Sequence, residues 1–326
     1  TVKMKQYFRI ITEGSIVLCM GRLDELDQNL FVLQGLAFPP AEKREDTLTA
    51  MDILDPFGNG ERRQQIEYMR ELEEQAHSDR VFVFSDVILT NSKTCDNLKM
   101  TFEAYEKLPG NYLFILIGPF TSKEFTSTGG RDEADRAFEF FGNTLENCPR
   151  LSKEAKFLFV PAMNDPGPQA AYPKKSLLEK LVENLRKRIQ SISIGTNPCH
   201  LRFYTQEITI FRDDLLRRMM RHVLPKVPPS KDDDAMDLRE QLLHSVIEQG
   251  HLFPLPSTAK PIYWDLDHTM RLHPLPSLLV LADKTEQFHT QIAGCNAVNP
   301  GSFSVDSSFV AYYPSRQEVE LCKVPS

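Results

Sequence analysis

Short apolar runs alternate with longer amphipathic stretches along most of this chain, and the alternation predicts its architecture. Residues 61–76 place Ile66, Met69, Leu72 and Ala76 at helical spacing among charges. The run Val81-Phe82-Val83-Phe84 predicts a strand, residues 94–107 a helix, and Leu113-Phe114-Ile115-Leu116-Ile117 a second strand. Residues 131–146 carry Ala134, Ala137, Phe138, Phe141 and Leu145 on one stripe, which predicts another helix. Phe157-Leu158-Phe159-Val160 then predicts a third strand, and residues 176–190 a further helix. Such alternation argues for an α/β fold with a mainly parallel central sheet and helices on both faces.

Beyond residue 191 the strands come closer together. They are expected at 192–194, 201–204 and 208–211, with helices at 212–223 and 237–249. Further strands are expected at 278–282, about 292–298 and 308–313, and Arg316 to Val324 reads as an edge strand. Between the two helices, Pro225 to Asp234 is proline-rich and then acidic, the composition of an exposed, mobile loop. At the other end, residues 7–38 read as strands, with a hairpin built from 16–21 and 30–33 around the polar turn Asp24 to Asn29. Two or three strands are not stable alone. This piece therefore ends a β-barrel that begins elsewhere, or packs on the remainder of the chain. Pro39-Pro40 stops the pattern, and the polar residues 41–60, ending in Phe57-Gly58-Asn59-Gly60, read as a linker.

Composition narrows the function classes. At 326 residues the chain makes one large domain or two ordinary ones, and its hydrophobic fraction of 41% is that of a globular protein. No apolar stretch reaches the roughly 20 residues that span a bilayer, so no membrane role is expected. The opening Thr1 predicts a fragment of a longer chain. A net charge of −7 argues against autonomous nucleic-acid binding, which needs clustered Lys and Arg. The basic clusters Arg186-Lys187-Arg188 and Arg217, Arg218, Arg221 fall in predicted helices and read as solvated faces. Six scattered cysteines include no C-x-x-C pair, which predicts reduced thiols and no zinc ribbon.

In an open α/β sheet, ligands bind just beyond the carboxyl ends of the strands. Here those ends read Ser85-Asp86-Val87, Gly118-Pro119-Phe120, Pro161-Ala162-Met163-Asn164-Asp165-Pro166 and Ala282-Asp283-Lys284. They offer proline, phenylalanine, methionine and lysine where a metal site needs histidine and carboxylate. Asp86 reads as a cap at its strand end, with a surviving metal ligand as the alternative. Asp165 before Pro166 reads as a turn residue. His251, after Gly250, reads as a packed structural histidine, with a ligand or base as the alternative. Asn299-Pro300-Gly301 makes a tight turn. Tyr263-Trp264 fits a core or an interface equally. No G-x-S-x-G or glycine-rich phosphate loop is present.

The strand-end series, together with Thr196-Asn197-Pro198-Cys199, Thr205-Gln206-Glu207-Ile208-Thr209-Ile210-Phe211-Arg212, Gln249-Gly250-His251-Leu252, Pro261-Ile262-Tyr263-Trp264 and Asn299-Pro300-Gly301-Ser302-Phe303, resembles the B subunits of DNA polymerase epsilon, within the family of DNA polymerase alpha/epsilon B subunits. The resemblance runs from about residue 7 to the end. It implies an OB fold joined to a calcineurin-like phosphoesterase domain that has lost activity. Residues 1–40 would be the C-terminal part of the OB fold, ending at Phe38-Pro39-Pro40, then a linker at 41–60 and the phosphoesterase-like domain at 61–326. Set against the motifs of active relatives, Asp86 keeps the first carboxylate, while Ile88 stands where a histidine would be. Pro119 replaces the bridging carboxylate, and Met163 and Asn164 replace the Asn-His pair ahead of Asp165. His251 matches the lone histidine, and Asp283 and Thr285 replace the last two.

Two divalent ions about 3.5–4 Å apart repel each other fourfold more than unit charges. A proline in place of the bridging anion cannot offset that. The expectation is therefore no catalytic residue, no metal and no cofactor, with Asp86, Pro119, Asp165, His251 and Asp283 as vestigial positions. The resemblance implies a nuclear, non-catalytic subunit. It would hold the C-terminal region of the polymerase epsilon catalytic subunit, meet the other subunits and the replicative helicase machinery, and touch DNA only through the complex. A divergent metal-dependent phosphoesterase is the alternative. Single-stranded DNA binding by the OB portion is a third reading, weakened by the acidic Asp24, Glu25 and Asp27.

Overall fold

The computed structural model describes residues 10–25, 29–51, 63–123, 129–167, 171–224 and 237–325. The chain opens with β1 (Leu18–Leu23) and β2 (Phe31–Ala37), an antiparallel pair with an irregularity between Met20 and Gly21. Next come α1 (Arg44–Ala50), α2 (Arg63–Gln75), β3 (Arg80–Phe84), α3 (Ser92–Glu106), β4 (Tyr112–Ile117), α4 (Gly130–Thr144), α5 (Pro149–Glu154), β5 (Lys156–Val160), α6 (Glu179–Arg186) and β6 (Ser191–Ile194). After these stand β7 (Cys199–Phe203), β8 (Gln206–Arg212), α7 (Leu215–Arg221), α8 (Leu238–Gln249), a 3-10 helix at Trp264–Met270, β9 (Leu278–Ala282), β10 (Phe288–Ile292), β11 (Cys295–Asn299), α9 (Phe303–Asp306), β12 (Ser308–Tyr313), a short 3-10 turn at Pro314–Arg316 and β13 (Glu318–Lys323).

The fold is α/β, as the alternation implies, but the sheet is not single. One mixed sheet runs β13-β12-β3-β4-β5-β6, and a second runs β10-β11-β9-β8-β7. In the first, β3 to β6 are parallel; in the second, β8, β9 and β11 are parallel and β7 and β10 form antiparallel edges. The physical reason lies in how the strands divide their side chains. Successive residues of a strand point to opposite faces. In the first sheet Phe82, Phe84, Phe114, Phe157 and Phe159 pack with Leu98, Phe102, Phe138, Phe141 and Leu185 of the helices. The alternate positions Val81, Val83, Leu113, Ile115, Ile117, Leu158 and Val160 pack with Ile208, Ile210, Leu278, Val280 and Val298 of the second sheet. That sheet turns Phe211, Leu279 and Leu281 toward Met219, Leu242 and Val246 of α7 and α8. Slim aliphatic side chains suit the sheet-to-sheet layer, and aromatic rings fill the deeper helix-to-sheet layer. Phe114 stacks on Phe82 at 5.0 Å and on Phe157 at 5.2 Å between centroids, and meets Phe102 edge-on.

Other expectations need adjusting. Residues 292–298 are not one strand: Ala293 and Gly294, both at positive φ, turn the chain between β10 and β11. The helix expected at 176–190 is confined to α6, and the one at 212–223 to α7, because Arg212 completes β8. Within 41–60, α1 forms, and its Arg44 pairs with Glu207 at 2.9 Å. The turn at 57–60 and nearly all of the loop 225–237 lie outside the described residues. The segment before β1 packs on the second sheet's helices: Ile10 is buried, and its N–H donates to Ser245 Oγ at 3.0 Å. Asp237 caps the start of α8 through Arg239 N, and Gly250, at φ 61°, ends it in the left-handed conformation. All six cysteines are free thiols.

Candidate functional site

The carboxyl ends of the two sheets meet around Arg212, the last residue of β8, which is 5% exposed. Its backbone is fixed by one amide side chain. Arg212 N donates to Asn197 Oδ1 at 3.0 Å, and Asn197 Nδ2 donates to Arg212 O at 2.8 Å. The guanidinium reaches across to the first sheet, where Nε and Nη2 donate to Asp86 Oδ1 at 3.2 and 2.7 Å. Nη1 donates to Asp214 Oδ1 at 2.8 Å and to the Ala282 carbonyl at 3.2 Å. Burial works against the Arg212 charge, but Asp86 and then Asp214 outweigh it and hold the group more firmly protonated than usual. Burial likewise opposes the Asp214 charge, yet Arg212 and Lys284 keep that carboxyl below its ordinary range.

Asp86 follows β3 at φ 55°, a left-handed conformation that aspartate tolerates better than most residues. Its side chain pairs with Arg212 instead of capping a helix or turn. Asp165 is wholly buried and staples two loops together: Oδ1 accepts from Phe120 N and Oδ2 from Ala162 N, both at 2.8 Å. Only glycine fits beside it, since a Cβ on Gly118 would lie 1.9 Å from Asp165 Oδ2. Burial pushes the Asp165 carboxyl up to about 6, against those N–H donors and the charges of Lys174 and Arg212. Lys174, also wholly buried, donates to the Asp165 carbonyl at 2.8 Å. Burial draws its pKa down to about 8, against the attraction of Asp165.

Asp283 follows β9. Its Oδ2 accepts from Leu216 N at 2.9 Å and its Oδ1 from Thr285 N at 3.0 Å. Burial raises its pKa, against those same donors. Asn299 ties the neighbouring loops: Oδ1 accepts from Asp283 N and Gly301 N, and Nδ2 donates to Thr285 Oγ1. Pro119, joined to Gly118 by a cis peptide bond, has no side-chain donor atom to offer. His251 belongs to another group of bonds. Its Nδ1 accepts from Phe253 N at 3.0 Å, which leaves the proton on Nε2, 3.3 Å from Asp267 Oδ1. Burial lowers its pKa, against Asp267.

These positions do not fit a metal pair. Asp86 is committed to a guanidinium, both oxygens of Asp165 and of Asp283 are committed to backbone N–H groups, and His251 faces Asp267. Among the described residues no three His, Cys, Asp or Glu side chains gather where they could hold one ion. The strand ends bring Asp86, Asp214 and Arg212 together, with Asp165 and Asp283 as supports. Residue patterns alone assign Arg212, Lys174 and Asp214 no role. One signal in the sequence does point to Arg212: a cation closing the apolar run Ile208 to Phe211 and preceding Asp213-Asp214 is a charge that the fold must bury with a partner. Trp264 is 81% exposed, so it is not core, and Arg218 pairs with Asp213 at 2.8 Å instead of facing solvent freely.

The geometry defines an α/β protein with two mixed sheets whose carboxyl ends are joined through the buried Arg212. The family profile of DNA polymerase alpha/epsilon B subunits matches residues 81–290, and the chain belongs to that family. It is 38% identical over 315 residues to the B subunit of DNA polymerase epsilon from Arabidopsis thaliana, covering 95% of this chain and 59% of that protein. It is 32% identical over 319 residues to the human DNA polymerase epsilon subunit 2, covering 97% of this chain and 58% of that protein. The chain thus spans under two thirds of the length of these relatives. Among solved structures, an archaeal phosphodiesterase is similar at a TM-score of 0.37 and 10% identity, over 74% of this chain and 98% of that one.

Proposed function

We propose that this chain acts as a non-catalytic accessory subunit of DNA polymerase epsilon in nuclear DNA replication, holding the C-terminal region of the catalytic subunit. The observation that carries this reading is the family match over residues 81–290, with relatives named as subunits of that polymerase. The pairing of Asp86 with Arg212 supports the non-catalytic part, because the guanidinium holds Oδ1 and places a positive charge where a metal would have to approach. In this reading residues 1–40 end an OB fold, 41–60 link, and 61–326 form the inactive phosphoesterase-like domain. Contacts with the other polymerase subunits and the helicase machinery would follow from the assembly, and DNA would be met only through it.

The test is co-purification. The full-length protein, with all residues of its longer relatives represented, is expected to capture the C-terminal region of the polymerase epsilon catalytic subunit. Failure to do so, with both partners folded, sinks the proposal.

A further inference from the structure

We infer that Arg212 is the resident cation where the carboxyl ends of the two sheets meet: its guanidinium locks those ends together and leaves no place for a divalent metal. The inference rests on geometry alone, so it stands or falls separately from the polymerase role.

Three observations carry it. The first is topological. Asp86 follows β3 of the six-stranded sheet, while Arg212 and Ala282 end strands of the five-stranded one, so each guanidinium bond to Asp86 ties the ends of the two sheets together. The second is chemical. Arg212 gives two donors to Asp86 and one each to Asp214 and a carbonyl, which uses the guanidinium fork as a planar ligand hub. An ammonium offers no such fork. The third is electrostatic. A buried aspartate needs a positive partner, and Arg212 supplies it from a strand end whose backbone Asn197 fixes on both sides. A divalent ion entering beside that guanidinium would meet twice the repulsion of a unit charge, in a setting that screens poorly.

The molecule therefore needs no metal for the inter-sheet bond, and it has made metal entry unfavourable. Without Arg212, Asp86 would be left buried with no guanidinium at its Oδ1.

The experiment uses the whole chain. Manganese uptake is measured by equilibrium dialysis, and urea unfolding is followed with and without EDTA. The wild-type chain is expected to retain no manganese and to unfold at the same urea concentration in both buffers. Arg212→Ala is expected to raise the unfolding equilibrium constant by about 100-fold or more, because it strands a buried carboxylate. Methylguanidinium at millimolar concentration is expected to recover part of that loss, and methylammonium chloride at equal ionic strength is not. Should Arg212→Ala give no folded protein, Asp86→Asn, Arg212→Met and the pair together decide. A double variant at least about tenfold more stable than the product of the single effects supports the lock. Stoichiometric manganese that is lost on Asp86→Asn, a wild-type unfolding constant for Arg212→Ala, or strictly multiplicative single and double effects would overturn it.

Discussion

Replacing Lys174 with methionine removes a wholly buried ammonium whose pKa burial has drawn from 10.5 to about 8. The sign of its effect on stability follows from proton linkage. Between pH 8 and 10.5 the unfolded chain still holds this proton while the folded chain has released it, so the unfolded state binds more protons and wild-type stability rises with pH. The gap corresponds to about 3 kcal/mol, present as a cost below pH 8 and recovered by pH 10.5. Methionine avoids that cost but loses the hydrogen bond to the Asp165 carbonyl, worth about 1–3 kcal/mol once the acceptor is left buried. Near neutral pH the two terms nearly cancel, so Lys174→Met is expected within about 2 kcal/mol of wild type. As pH rises to 10.5 the wild-type chain should pull ahead by about 3 kcal/mol. Urea denaturation of both proteins at several pH values gives the difference curve, in which the tyrosine and cysteine titrations common to both cancel. A flat difference curve from about pH 7 to 10.5 would refute the reasoning.

Two further substitutions probe the supports of the crevice and the core. Gly118→Ala puts a Cβ 1.9 Å from Asp165 Oδ2, a carboxylate already fixed by two backbone donors, so unfolding free energy should fall by about 1–3 kcal/mol or more; a urea midpoint unchanged from wild type would show that the loop yields instead. Phe114→Ala empties the centre of the aromatic ladder between Phe82, Phe157 and Phe102 and should cost about 3–5 kcal/mol in the same assay, and a loss under about 1 kcal/mol would mean that the helix layer collapses onto the gap.

Most of the elements were legible in the sequence, because each carries its own period. The runs 81–84, 113–117 and 157–160 are continuously apolar and fall within β3, β4 and β5, and the stripe in α4 repeats at helical spacing. The edge strand β13 was legible as well. Legibility ended where the signal was non-local. A strand apolar on both faces states that both faces are covered and leaves open what covers them. The alternation of valine with phenylalanine in β3 becomes informative only once one face is seen against helices and the other against a second sheet. The turn at Ala293-Gly294 was hidden because the residues on either side of it, Ile292 and Cys295 to Val298, are all buried in the same sheet.

The crevice divides in the same way. The sequence by itself determined which residue types stand at the strand ends: Pro119 brings no side-chain donor and Met163 no charge, and residue types are read one position at a time. It also determined the family, through segments such as Thr196 to Cys199 that no general fold rule demands. Only the tertiary structure decided how the charges at those ends are paired. Asp86 and Arg212 are 126 residues apart and stand at the ends of different sheets. Nothing local in either segment favours the pair. It forms because packing two sheets face to face brings the ends of β3 and β8 together, and because a carboxylate and a guanidinium that are both denied water are stable only against each other.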